Sequence, residues 1–343
     1  MKKALITGVT GQDGSYLTEL LIEKGYEVYG LVRRKSSLDY GNLEGLDVKN
    51  KVKFIFGDIT DMAAMINAVR ISQPDEIYNL AAMSFVAQSF AEPVASMNIT
   101  GFSALSILEA IRTIKPDAKF YQASTSEMFG GCIEDQGENF SGYTEESYFC
   151  PRSPYGVAKL YAHWITRNYR ESYNMFACSG ILFNHESERR GLEFVTRKIT
   201  NAAAKIKLGL QDCLELGNMD AKRDWGHAED YVNAMRLILQ QEKPEDYVVA
   251  SNETHSVREF VELSFKALDI DVKWQGSGVD ETGIDSSTGK TIVKVNPVFY
   301  RPAEVDLLLG NPAKAEKNLG WKREISFNRL VERMVKNDLE LLK

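Results

Sequence analysis

Gly8, Gly11 and Gly14 stand between an apolar run, Lys3 to Thr7, and an amphipathic stretch, Tyr16 to Lys24. A strand that turns through such a triplet into a helix brings bare backbone amides and a helix N-terminus to one point, where a pyrophosphate is held. Thr10, Gln12 and Asp13 complete that turn and are expected to touch the same ligand. Further strand-like runs follow at Glu27 to Val32, Lys53 to Phe56, Glu76 to Leu80, Lys119 to Ser124 and Phe176 to Leu182, with helical patterns such as Ser103 to Ile114 between them. This rhythm predicts a doubly wound parallel α/β sheet of the Rossmann type. After Phe183 it loosens. A helical run from Phe194 to Leu208 and a polar stretch from Gln275 to Gly289 suit a smaller C-terminal α/β substrate domain. The expected division is 1–183 plus about 226–250 for the first domain, and 184–225 plus about 251–343 for the second. Gly276 to Lys290 reads as a mobile loop or a short hairpin.

Charge and cysteine usage narrow the classes. The 343 residues hold 41 Lys and Arg against 48 Asp and Glu, a formal net charge of -7, so no overall basic field invites nucleic acid. Cys132, Cys150, Cys178 and Cys213 are scattered without a Cys-x-x-Cys pair or a histidine cluster, which predicts reduced packing thiols and no metal site. Met1-Lys2-Lys3 runs straight into the first strand, and no apolar run is expected to reach membrane-spanning length. The expectation is a soluble, cytoplasmic protein with no membrane partner.

The end of the second strand reads Val32-Arg33-Arg34-Lys35-Ser36-Ser37, where NAD sites carry an acid and NADP sites carry cations. Arg33, Arg34, Ser36 and Ser37 therefore point to NADP. Asp58 and Ile59 after the third strand and Leu80, Ala81 and Ala82 after the fourth are placed beside the same cofactor. Tyr155 and Lys159, four apart, share a helix face, where the cation can lower the phenol's pKa and let it accept a proton from an alcohol. Thr125, Ser126 and Glu127 follow the fifth strand at the edge where ligands bind. A plain hydride transfer has no use for Glu127, but a carboxylate beside a ketone can remove the proton α to the carbonyl and return it to a departing hydroxyl. A surface Tyr-Lys pair, a solvated basic loop and a capping glutamate are the alternative readings of these three features.

On Thr7 to Leu17, Ser124-Thr125-Ser126-Glu127, Pro151 to Gly156, Leu182 to Ser187, Phe194 to Ile199, Asp220 to Gly226 and Tyr300 to Asp306, the chain resembles the GDP-mannose 4,6-dehydratase family of the extended short-chain dehydrogenase/reductases, nearly end to end. The resemblance implies that Tyr155 takes the C4 hydroxyl proton and Lys159 holds the tyrosine and the nicotinamide ribose. Thr125 orients the C4 oxygen, with Ser126 nearby, and Glu127 removes the C5 proton and protonates the leaving C6 hydroxyl. It assigns Asn184, Lys198, Arg223, Arg301 and Glu304 to the GDP moiety, with Ser84, Glu186, Val195, Leu216 and Gly217 as further substrate contacts. Arg33 and Arg34 resemble a segment that reaches a neighbouring subunit, which implies a homotetramer. Two departures lie at the sugar end: Met83-Ser84-Phe85 stands where the family has Gln-Ser-His, and Phe129 to Ser153 is longer than usual, with Cys132 to Tyr148 as an insertion. They leave room for a larger GDP-linked sugar, such as a GDP-manno-heptose. A GDP-4-keto-sugar reductase or epimerase, and an NADP-sensing binding protein, are the competing readings.

Overall fold

The computed structural model describes residues 1–37, 39–132, 140–300, 305 and 307–343. The first elements are β1 (Lys3–Thr7), α1 (Gln12–Glu23), β2 (Glu27–Val32), β3 (Lys53–Phe56), α2 (Met62–Ser72), β4 (Glu76–Asn79), α3 (Val86–Ala91), α4 (Pro93–Ser96) and α5 (Ser103–Ile114). Next come β5 (Lys119–Thr125), α6 (Pro154–Tyr173), β6 (Ala177–Leu182), β7 (Asn184–Glu186), α7 (Val195–Lys207), β8 (Leu214–Leu216), β9 (Lys222–Arg223), β10 (Trp225–His227), α8 (Ala228–Leu239) and β11 (Tyr247–Val249). The chain closes with β12 (His255–Ser256), α9 (Val257–Lys266), β13 (Val272–Gln275), β14 (Thr282–Asp285), β15 (Thr291–Val295), β16 (Leu307–Leu308), α10 (Ala313–Leu319) and α11 (Phe327–Leu342).

Seven strands pair in parallel in the order β11-β6-β5-β4-β1-β2-β3. Both faces are buried, so these strands read as continuous apolar runs rather than as alternating ones. Ala4, Ile6, Val28 and Tyr121 pack under α1 and α8, where Leu17, Leu21, Tyr231 and Met235 meet them. Leu5, Leu31, Ile77 and Phe120 face the other way, onto Met65 and Val69 of α2 and Leu108 and Ile111 of α5. The order of winding reverses at β1, whose neighbours are β4 and β2, so the crevice of a doubly wound sheet opens at its carboxyl end. A separate core joins α7, α9 and α11 around β8 and β15 through Ile199, Leu214, Phe260, Val293, Phe327 and Leu330. α10 and Trp321 return to the sheet's own core, where the indole N–H donates to the carbonyl of Asp230 at 2.8 Å.

Three features refine or correct the sequence reading. β11 and β7 are only three residues each, too short to stand out as runs. Of the two readings of Gly276 to Lys290 the hairpin holds, as the middle of a longer antiparallel meander, β13-β14-β15. Its turn is held by the Asp285 carboxylate, which accepts from the Ser287 amide and the Thr288 hydroxyl at 2.8 and 2.7 Å. A π-helical turn, Met97–Phe102, fuses α4 and α5 into one helix from Pro93 to Ile114, 22 residues long, in which an 18-residue stretch has a mean hydropathy of 1.4. That is spanning length by composition, contrary to the expectation that no run reaches it. Half of that stretch is buried inside the protein, because one face packs on the sheet.

Candidate active site

α6 delivers the reactive pair. Ser153 caps it, its hydroxyl accepting from the Gly156 amide at 3.0 Å, and Pro154 supplies a pre-set first turn. Tyr155 and Lys159 are both buried on the face that looks at the end of β5. A Cβ on Gly156 would stand 3.0 Å from the Glu127 carbonyl, so this glycine lets the helix press against the turn that carries the glutamate. That turn, Ser126–Met128, is capped by Thr125, whose hydroxyl accepts from the Glu127 amide at 3.3 Å and also hydrogen-bonds the Tyr155 phenol.

The electrostatics of the pair depart from the sequence reading. Burial raises the Tyr155 phenol, and the Glu127 charge raises it further, while the Thr125 hydrogen bond and Arg190 pull it down. Lys159 is not among the leading influences on it. Its ammonium donates to the Ala123 carbonyl at 2.7 Å, lies 5.8 Å from the centre of the tyrosine ring, and is itself pushed down to about 8 by burial. Ala123 is fixed by a buried relay across three strand ends. The Thr7 hydroxyl donates to Asn79 at 2.7 Å, Asn79 donates to Gln122 at 2.8 Å, and Gln122 donates to the Ala123 carbonyl at 2.9 Å.

These residues border a cleft of about 940 Å³. Of the residues singled out in the sequence, it gathers Gly8, Thr10, Gly11, Gln12, Asp13 and Gly14 with Leu80, Ala81 and Ala82 on one side. Thr125, Ser126, Glu127, Tyr155 and Lys159 form its floor. Ser84, Asn184, Glu186, Val195, Lys198, Leu216, Gly217 and Arg223 complete it. Arg33, Arg34, Ser36 and Ser37 are exposed and lie outside this lining, as do Asp58 and Ile59. The Arg34 guanidinium sits 5.0 Å over the Phe56 ring, and Asp58 accepts from the Thr60 amide and hydroxyl. Arg301 and Glu304 fall outside the described residues. Of the long segment after Phe129, the described residues, 130–132 and 140–153, do not line the cleft. Tyr143 and Phe149 instead stack on Phe129 at 4.5 and 5.1 Å.

The glycine turn fits a dinucleotide. Gly8 has φ +68°, and a Cβ on Gly14 would come 2.2 Å from the Gly8 carbonyl, so both serve the packing of the turn. A Cβ on Gly11 would meet only that carbonyl, at 3.3 Å, and would project into the space a diphosphate needs. On the substrate side the buried Asn184 Oδ1 accepts no hydrogen bond among the described residues, which suits a ligand donor.

Sequence reasoning missed His185 and Arg190. His185 Nδ1 faces the Phe183 carbonyl at 2.8 Å and Nε2 faces the Asp13 carboxylate at 2.8 Å, two acceptors that need two N–H donors and so call for the imidazolium. Burial lowers the His185 pKa and Asp13 more than restores it, while its partner Asp13 is held at about 2 against its own burial. Arg190 ion-pairs with Glu186 at 2.9 Å and lies 3.6 Å over the Phe194 ring. The sequence signal was present in Asn184-His185-Glu186, but nothing local says that His185 reaches back to Asp13, 172 residues earlier.

A doubly wound sheet with a glycine turn at its first crossover, and a Tyr-x-x-x-Lys pair opposite a hydroxyl-bearing strand end, defines an extended short-chain dehydrogenase/reductase. A family model described as GDP-mannose 4,6 dehydratase matches residues 5–334. The chain is 51% identical over 353 residues to the GDP-mannose 4,6 dehydratase of Dictyostelium discoideum, covering 100% of this chain and 97% of that one. It is 50% identical over 350 residues to the protein of that name in Drosophila melanogaster, covering 100% and 87%. Among solved structures, the dTDP-glucose 4,6-dehydratase DesIV of Streptomyces venezuelae, solved with NAD bound, shares the fold with a TM-score of 0.81 at 21% identity, covering 98% of this chain and 97% of that one. The chain belongs to the GDP-mannose 4,6-dehydratase family.

Proposed function

We propose that the protein removes water from GDP-mannose to give the GDP-linked 4-keto-6-deoxy sugar, with bound NADP, as a cytoplasmic homotetramer. The observation that carries the reading is Glu127, buried beside Tyr155 and Thr125 on the floor of one cleft, where an enzyme that only moved a hydride would not need it. Gly8 to Gly14 would hold the pyrophosphate, and Lys159 the nicotinamide ribose. A nicotinamide dinucleotide, cationic when oxidised, supplies a hydride acceptor and then donor, and positive charge beside a phenol that burial otherwise keeps protonated.

The residues' own work follows. Tyr155 Oη takes the proton of the C4 hydroxyl while Thr125 Oγ1 steers the C4 oxygen. The C4 ketone acidifies C5–H, Glu127 removes that proton, and the same carboxyl protonates the C6 hydroxyl as it leaves as water. Asn184, Lys198 and Arg223 would grip the nucleotide, with Ser84, Glu186, Val195, Leu216 and Gly217 around the substrate. Arg301 and Glu304 carry the same assignment from the family resemblance. Arg33, Arg34, Ser36 and Ser37 are the basis for NADP over NAD.

The names of the relatives favour mannose over the heptose alternative, and dehydration over a reductase or epimerase. Glu127→Gln tests the reading. With GDP-mannose the variant should still oxidise C4 but lose water elimination by about 10²- to 10⁴-fold, and elimination at the unaltered rate would refute it.

A further inference from the structure

Phe85 and Phe194 meet at the cleft. Phe85 stands at the N-terminal edge of α3, just after the loop that carries Ala81 and Ala82, and Phe194 stands at the N-terminal edge of α7, the helix that carries Lys198. Their ring centres are 5.8 Å apart at 77°, edge to face, and both rings line the cleft. The two sides of this contact are built differently. Phe194 is backed by a polar cluster, with the Arg190 guanidinium on its ring, and with Glu186 ion-paired to Arg190 at 2.9 Å and accepting from the Thr196 hydroxyl at 2.6 Å. Phe85 sits on a six-residue helix and is 38% exposed. One ring is an anchored strike plate and the other a lever on a short element, joining the cofactor side of the cleft to the substrate side.

We propose that the Phe85–Phe194 contact is a latch that retains the sugar between the two hydride transfers, an inference that rests on the dehydratase reading. In that cycle the C4 hydroxyl gives its proton to Tyr155, and the hydrogen on C4 would leave as hydride to a bound nicotinamide. C5–H then goes to Glu127, the C6–O bond breaks and water leaves, and the hydride returns to C6 as a proton returns to C5. A sugar that departs before the last step carries away an oxidised C4 and strands one hydride on the nicotinamide. Each escape therefore leaves one reduced cofactor and one sugar not reduced at C6, so the atoms and electrons of a failed latch can be counted. A pair of apolar rings also keeps water from the departing hydroxyl without offering it a competing donor.

Phe85→Ala, Phe194→Ala and the double variant are given GDP-mannose and NADP. Mass spectrometry measures the released sugar nucleotides that carry the C4 ketone without a reduced C6, and absorbance measures the reduced nicotinamide left behind. Each single variant should raise the escaped fraction about two- to ten-fold, the factor that an edge-to-face pair's energy corresponds to. The double variant should add nothing to either. Affinity for GDP alone, measured by calorimetry, should not change. Phe85→Leu keeps volume and apolar character but loses the ring contact, and it should leak in the same direction should the alanine variant fail to fold. An escaped fraction equal to wild type in folded Phe85→Leu and Phe194→Ala, with only KM altered, would overturn the latch while leaving the dehydratase reading intact. A wild-type enzyme that eliminates no water would overturn both.

Discussion

Lys159 shows at the scale of one residue how this site trades stability for chemistry. Its pKa falls from 10.5 to about 8 on burial, so between those values the unfolded chain binds more protons than the folded one. Stability must therefore rise with pH across that interval, and at neutral pH the charged lysine costs about 3 kcal/mol. Lys159→Met should remove that cost, raising Tm at pH 7 while abolishing turnover; thermal melts beside an activity assay check both. In the wild type, kcat/KM should fall as pH rises through about 8, because the ammonium discharges there, and Lys159→Arg should lose that limb of the profile. The sequence made Tyr155 and Lys159 legible by spacing alone, but not the direction of their electrostatics. Periodicity places two side chains on one helix face. It does not say that the Ala123 carbonyl claims the ammonium or that Glu127 stands against the phenol.

At the scale of elements, α1 and β7 are joined by the partly buried Asp13–His185 pair. His185 is raised above its usual 6.5, so its share of stability is complete below that value and is lost as pH climbs through the folded pKa. Asp13 is lowered from 3.8 to about 2, so its share is complete above 3.8 and is lost as pH falls through about 2. The pair is fully effective between those limits, at mildly acidic pH. Asp13→Asn should cost about 1 to 3 kcal/mol there, since it leaves a partly buried cation without its counter-charge, and denaturant melts at pH 5 and pH 9 should show the penalty shrinking at the higher pH. Gly156→Ala acts on the contact between α6 and the Glu127 turn. An added Cβ 3.0 Å from the Glu127 carbonyl should lower kcat by moving acid–base groups apart, with Tm less affected than kcat.

The first six strands of the large sheet were readable from apolar runs because a parallel sheet buries both faces. β7 and β11 escaped, being three residues each and defined by their neighbours rather than by pattern. The glycine turn announced its own structural context. His185 and Phe194 did not announce theirs, because their roles depend on partners far away in sequence.

Across the whole molecule, one exposed face is unusual. Val94 and Phe102 on the fused helix and Val157 and Trp164 on α6 are between 45% and 72% exposed, and Phe102 packs edge-on against Tyr161 at 5.3 Å. An apolar face of this kind supports the proposed assembly. Phe102→Glu with Trp164→Glu should shift the mass measured by light scattering downward, and an unchanged mass would place the interface elsewhere. The distribution of charge agrees with a single cleft as the working centre. The chain is net acidic, yet Lys198, Arg190 and Arg223 all line the cleft, where an anionic nucleotide would need them. The most direct test of the dehydratase reading follows the hydrogen that the cycle moves. GDP-mannose carrying deuterium at C4, incubated with the NADP-loaded enzyme, should lose one water and yield a 4-keto-6-deoxy product with the deuterium at C6. Recovery of intact substrate, of an oxidised sugar that has kept its C6 hydroxyl, or of product without deuterium at C6 would contradict it.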